Sequence, residues 1–121
     1  MSDKAAISLA TGLEDAERVT VALLVAVAAA EAGRPTLIFL TKEAVRLATE
    51  GVAVGRACEG CPDMPELMAR LATAGGELLV CPICVRAKAL DGQPLVGNAT
   101  LGGTVQLWEW IGSDAACCFS Y

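Results

Sequence analysis

Six cysteines and no histidine set the chemistry open to this 121-residue chain. Without imidazole there is no Cys-His or Ser-His catalysis and no nitrogen ligand for a metal, so reactive chemistry has to run on sulfur. Cys58, Cys61, Cys81 and Cys84 read C-x2-C, nineteen residues, C-x2-C, a spacing that fits a tetrathiolate zinc or iron–sulfur site. The competing reading centres on Cys81 alone. It closes the apolar run Glu77-Leu78-Leu79-Val80 and precedes Pro82, a residue suited to the first helical position. A cysteine where a strand ends and a helix begins meets unpaired backbone N–H groups and the positive end of the helix dipole, which favour the thiolate. Cys84 falls one helical turn further on, within reach of a disulfide or a shared ligand.

The remaining cysteines carry weaker signals. Cys58 and Cys61 sit in a stretch with Gly51, Gly55, Gly60 and Pro62, which reads as a loop. They are either inert loop cysteines or a second thiol pair that folds over Cys81. Cys117 and Cys118 are adjacent on an expected terminal strand, 115–121, so their side chains point to opposite faces, with core packing the expected role.

The elements that position these residues alternate. Ala5 to Ala10 reads as a buried strand and Thr11-Gly12 as a turn whose backbone can help bind an anion or a sulfur species. A long helix follows from Glu14 to Ala32, stopped by Gly33. Because Val19 to Ala30 is apolar on every side, this helix needs a second packing surface, and a subunit interface is the natural candidate. Thr36 to Leu40 is a second strand, and Thr41 is placed to cap a helix from Lys42 to about Glu50. Asp63 and Glu66 have capping-box spacing at the start of a third helix that ends at Gly75-Gly76. Strand Glu77–Val80 and a helix from Ile83 to Leu90 flank Cys81. Leu95 to Asn98 is a short strand or a loop, and a last helix runs from Thr104 through Ile111. Trp108 and Trp110 point about 200° apart on it, so at most one is buried within the monomer.

Strand–helix alternation of this kind predicts a single-domain, three-layer α/β/α fold around a mainly parallel sheet, with reactive groups outside the carboxyl ends of the strands. Composition excludes several other classes. At 55% hydrophobic and 19% charged residues the chain is not disordered, and a net charge of −5 with nine scattered basic residues argues against nucleic acid as a partner. The apolar uncharged run Val19 to Ala30 has 12 residues, short of the roughly 20 that span a bilayer. The first residues, Met1-Ser2-Asp3-Lys4, lack secretory features, so the expected compartment is the cytoplasm.

One layout ties these pieces together. Leu9-Ala10-Thr11-Gly12 is followed by Asp15-Ala16-Glu17-Arg18-Val19. Next come Gly33-Arg34-Pro35-Thr36-Leu37-Ile38-Phe39-Leu40 and Ala44-Val45-Arg46-Leu47-Ala48, then Ala74-Gly75-Gly76-Glu77 leading into Val80-Cys81-Pro82-Ile83-Cys84. This order resembles the DsrE/DsrF-like sulfur-relay proteins, some of which are described as predicted peroxiredoxins. The resemblance implies a DsrEFH-like three-layer fold over residues 1–121, assembly into homotrimers or hexamers, and a cysteine that carries sulfur as a persulfide between donor and acceptor proteins. Only Cys81 matches that position; Cys84 is its expected companion. The activity so implied is that of a sulfurtransferase or a thiol oxidoreductase with no cofactor, zinc on Cys58, Cys61, Cys81 and Cys84 being the alternative. Cys58-Glu59-Gly60-Cys61 and Cys117-Cys118 depart from the family's pattern and leave thiol–disulfide chemistry and metal binding open.

Overall fold

The computed structural model describes residues 3–53, 55–113 and 115–121. Five strands, β1 (Ala5–Leu9), β2 (Thr36–Leu40), β3 (Glu77–Val80), β4 (Ala99–Leu101) and β5 (Cys117–Ser120), form one sheet in the order β4-β3-β2-β1-β5. Every pairing is parallel, with Ile7 opposite Ile38 and Ile38 opposite Leu78 at its centre. The central runs AAISL and TLIFL are apolar and buried apart from the exposed Ser8, because parallel strands of this kind lie between layers.

Side-chain alternation sends Ile7, Leu9, Ile38, Leu40, Leu78 and Val80 into the main core. Helices α1 (Ala16–Glu31) and α2 (Met64–Thr73) cover it, α1 with Val19, Ala22, Leu23, Ala26 and Val27, and α2 with Leu67 and Leu71. The opposite face presents Leu37, Phe39 and Leu79 to Leu107 and Trp110 of α4 (Thr104–Ile111). This second layer is thin. No residue of α4 is fully buried, and Trp108 is 67% exposed. Its end is pinned instead by polar contacts: Lys4 Nζ donates to the carbonyls of Trp110 (2.6 Å) and Ile111 (2.9 Å), and Trp110 Nε1 donates to Glu77 Oε2 (2.9 Å). Lys4 Nζ also lies 5.3 Å from the centre of the Trp110 ring.

The long apolar helix has the surplus face its sequence requires, since Val21 and Leu24 remain exposed on α1. Asp15 caps it by accepting from the Arg18 N–H, and the chain enters through a 3-10 turn, Leu13–Asp15. Among the described residues no helix is long and apolar enough to cross a membrane.

Several expected elements differ in detail. The expected helix from Lys42 to Glu50 is a 3-10 helix, Lys42–Ala48, entered with Lys42 at φ 53° and without a side-chain bond from Thr41. Asp63 occupies the cap position of α2 but makes no capping bond, and its Oδ1 is buried without a partner among the described residues. Pro65 explains this in part: it removes one N–H a cap would serve, and the Met64 N–H already donates to Gly55 O. Of the two readings of Leu95 to Asn98 the loop holds, with an isolated bridge from Leu95 to Thr49, and β4 begins just after it at Ala99. The helix after Cys81, α3, spans Pro82–Ala87 and stops where Ala89 takes φ 56°.

Candidate thiol site

Cys81 sits at the carboxyl end of β3, beside the end of β2. Its N–H donates to Leu40 O (3.1 Å), carrying the β2–β3 ladder one residue past the strand, and its carbonyl accepts from Val85 N–H (3.0 Å) to open α3. It is therefore the cap residue of α3, in an extended conformation, with Pro82 at the first helical position. Pro82 has no N–H to satisfy, and the first N–H groups of any helix lack an intrahelical acceptor. Cys81 is thus a half-buried free thiol where a strand ends and a helix begins, in the position its sequence context predicts.

Strand alternation continues through it. Glu77, Leu79 and Cys81 share one face, so Cys81 packs against the cluster of Leu37, Phe39 and Leu79, against which Leu107 and Trp110 of α4 also pack. Cys84, one turn on, packs against the main core on the other side of the sheet, where Ala53 and Ala57 of the preceding loop also pack. It too is half-buried and free. The C-x2-C pair straddles the sheet end, one sulfur packed on each side.

The surroundings are tied down by charge. Glu43 receives Lys88 Nζ (2.8 Å) on one carboxylate oxygen and Arg46 Nε (2.8 Å) on the other, linking the end of α3 to the 3-10 helix. The hydrogen bond from Lys88, then that from Arg46, holds the Glu43 carboxyl below the usual glutamate range. Thr11-Gly12 is less open than expected for an anion-binding turn. The Gly12 N–H donates to the Glu14 carboxylate (2.8 Å), and the Gly12 Cα lies so close to Glu43 that a Cβ there would be 2.7 Å from the Glu43 carbonyl oxygen. Lys42 holds a left-handed backbone at this same end, a conformation that costs a non-glycine residue about 1 kcal/mol or more.

Cys58 and Cys61 are bonded to each other, with their Cα atoms 5.1 Å apart. The turn between them is closed by Cys61 N–H donating to Cys58 O and has Gly60 at φ 84°. The four-cysteine metal arrangement is not assembled in this structure: among the described residues no three cysteine or carboxylate groups are placed to hold a metal ion. The spacing along the chain matches, but Cys58 and Cys61 satisfy each other while Cys81 and Cys84 are free thiols. Core packing of Cys117 and Cys118 is corrected. Both are exposed, because β5 is an edge strand paired only with β1. They do point to opposite sides, Cys117 toward Val25, Ala29 and Arg34, and Cys118 into an apolar groove of about 180 Å³ beside Phe39, Leu107 and Trp108.

Of the two tryptophans, Trp110 is the one turned inward, as their spacing requires. The Lys4–Trp110–Glu77 chain that fixes it was invisible in sequence, since its members lie far apart and none belongs to a motif.

The DsrE/DsrF-like family pattern matches residues 3–117, nearly the whole chain. The chain belongs to the DsrE/DsrF-like family. That family is associated with sulfur relay. Solved structures agree on the fold: the ychN protein from E. coli superposes with a TM-score of 0.81 at 20% identity, covering 100% of both chains. A Methanobacterium thermoautotrophicum protein of unknown function gives 0.67 at 10% identity, covering 98% of each chain. A conserved protein of unknown function from Bacteroides thetaiotaomicron gives 0.66 at 15% identity, covering 98% of this chain and 95% of that one. No curated protein matches. Within this DsrE/DsrF-like fold the sheet is entirely parallel and flanked by helices on both faces.

Proposed function

We propose that this DsrE/DsrF-like protein carries sulfane sulfur on Cys81. The supporting observation is the placement of Cys81: a free, half-buried thiol at the carboxyl end of an inner strand, at the cap position of α3. In loading, the Cys81 thiolate attacks the outer sulfur of a donor persulfide, forming Cys81–S–SH and expelling the donor thiolate. In delivery, an acceptor thiolate takes that outer sulfur and Cys81 leaves as thiolate, so the relay involves no net oxidation. The Leu37, Phe39 and Leu79 cluster gives the persulfide an apolar flank on one side, which limits attack by water-borne thiols from that direction.

The carrier works as a homo-oligomer, trimer or hexamer, with donor and acceptor proteins as its transient partners and the cytoplasm as its compartment. The exposed Val21 and Leu24 on α1 and Val105 and Trp108 on α4 support assembly, because together they leave more apolar surface than a lone small domain needs. A transfer assay with ³⁵S-labelled persulfide donor tests the carrier role. Wild-type protein is expected to take up label that is released by an acceptor thiol, and Cys81→Ser to take up none while keeping its circular dichroism. Undiminished uptake by Cys81→Ser refutes it.

A further inference from the structure

The Cys58–Cys61 disulfide lies outside the relay as described. The loop that holds it leaves the 3-10 helix at the carboxyl end of β2 and ends at the start of α2, whose far end leads back into the beginning of β3. A helix that returns the chain from one strand to its parallel neighbour runs antiparallel to both, so its start lies at the strands' carboxyl end. The disulfide and Cys81 therefore share that end of the sheet. Cys84 connects them: it is one turn from Cys81 and packs on the side of the sheet where Ala53 and Ala57 of the same loop pack. Both loop cysteines are half-exposed, and the turn that joins them is set by its own backbone bond and by Gly60, so the pair is held in bonding register. In a reducing compartment a disulfide of this kind is ordinarily transient and catalytic.

We propose that Cys58 and Cys61 form a dithiol–disulfide couple that discharges the carried sulfur as hydrogen sulfide, with Cys84 as the intermediate stop. The inference rests on the reading of Cys81 as the carrier. The Cys84 thiolate takes the outer sulfur from Cys81–S–SH, freeing Cys81 and forming Cys84–S–SH. One thiolate of the reduced loop pair then takes that sulfur from Cys84. The second loop thiolate attacks the first loop cysteine's own sulfur, forms the Cys58–Cys61 bond and expels hydrosulfide. The sulfane sulfur gains two electrons and the dithiol loses two. The oxidised couple seen in the structure is the product state, returned to the dithiol by a protein dithiol reductant of the thioredoxin class.

The test uses the full chain, reduced with a phosphine, freed of it under anaerobic conditions and given one equivalent of glutathione persulfide, whose loading step expels a thiolate and no sulfide. Peptide mass spectrometry follows Cys81 persulfide and the Cys58–Cys61 bond, and a sulfide electrode follows release. In wild type the Cys81 persulfide is expected to rise and then decay as sulfide and disulfide appear in equal amounts. Cys58→Ser and Cys61→Ser should load Cys81 as wild type does and lose sulfide release, and Cys84→Ser should load Cys81 and also lose it. Cys81→Ser reports direct transfer from the persulfide donor to the loop. A Cys81 persulfide that persists beside a reduced loop overturns the inference. So does release unchanged in the loop variants or as fast in Cys81→Ser, and in these cases the carrier reading stands if Cys81 is loaded. A Cys81 that never takes sulfur overturns both.

Discussion

Gly12→Ala is the substitution for which the structure gives the sharpest expectation. Gly12 ends the turn after β1, and an added Cβ would lie 2.7 Å from Glu43 O, 2.9 Å from Glu43 C and 2.9 Å from Glu43 Cβ. Two of these atoms are backbone and the third is fixed to it, so no rotamer relieves the contact. To reach an ordinary 3.4 Å the turn and the 3-10 helix must separate by about 0.7 Å, and overpacking of this kind costs about 1–3 kcal/mol. The Gly12 backbone, φ −108°, is open to alanine, so the loss is offset by about 0.4–1 kcal/mol from a less flexible unfolded chain. The net expectation is a destabilisation of about 1–2 kcal/mol. At a urea slope near 1.5 kcal/mol/M the midpoint falls by about 0.7–1.3 M. The measurement is urea unfolding by far-ultraviolet circular dichroism, at one protein concentration so that any assembly equilibrium is held fixed. Gly97→Ala is the control, because no atom lies within 4 Å of its added Cβ, and it should match wild type or exceed it slightly. A Gly12→Ala midpoint equal to that of Gly97→Ala would refute the close approach of the turn to Glu43, and with it the packed floor of the site.

Other substitutions probe different parts of the account. Leu71→Ala, at a fully buried position of α2, should cost about 2–5 kcal/mol in the same unfolding experiment, and a loss below about 1 kcal/mol would contradict the packing described. The Glu43 carboxyl is held below its unfolded value of 4.5, so its bonds to Lys88 and Arg46 contribute stability that is present above that pH and lost as the pH falls through the lower folded value. Glu43→Gln should therefore be less stable than wild type at neutral pH and converge with it in acid; a constant gap across the range would show that charge is not the cause. Trp110→Ala removes the bond to Glu77 and the ring that packs against the Leu37, Phe39 and Leu79 cluster. It should cost about 1–3 kcal/mol in the same unfolding experiment, and an unchanged midpoint would mean that the ring does not hold α4 on the sheet.

Much of the fold is legible in sequence because parallel strands announce themselves as short apolar runs. Thr36-Leu37-Ile38-Phe39-Leu40 and Glu77-Leu78-Leu79-Val80 have the predicted bounds, and the order of strands and helices places Cys81 at a strand end before any coordinates. The 3-10 character of Lys42–Ala48 is not legible, because helical periodicity over seven residues does not separate the two helix types and Lys42 takes an uncommon left-handed backbone. Cys117 and Cys118 read as core because free cysteine is usually buried, yet they lie on the outer strand of a sheet whose order depends on contacts between distant segments. The spacing of Cys58, Cys61, Cys81 and Cys84 does not decide whether they gather. It records separation along the chain, whereas a tetrathiolate site needs four free sulfurs, and Cys58 and Cys61 are bonded to each other.

The central claim concerns one sulfur atom on one side chain. The protein, treated with a persulfide donor, alkylated and digested, is read by mass spectrometry peptide by peptide. The account predicts a species heavier by one sulfur, about 32 Da, on Cys81, before any appears on Cys117 or Cys118. Sulfur found first on the exposed edge-strand cysteines, with Cys81 unmodified, would contradict it.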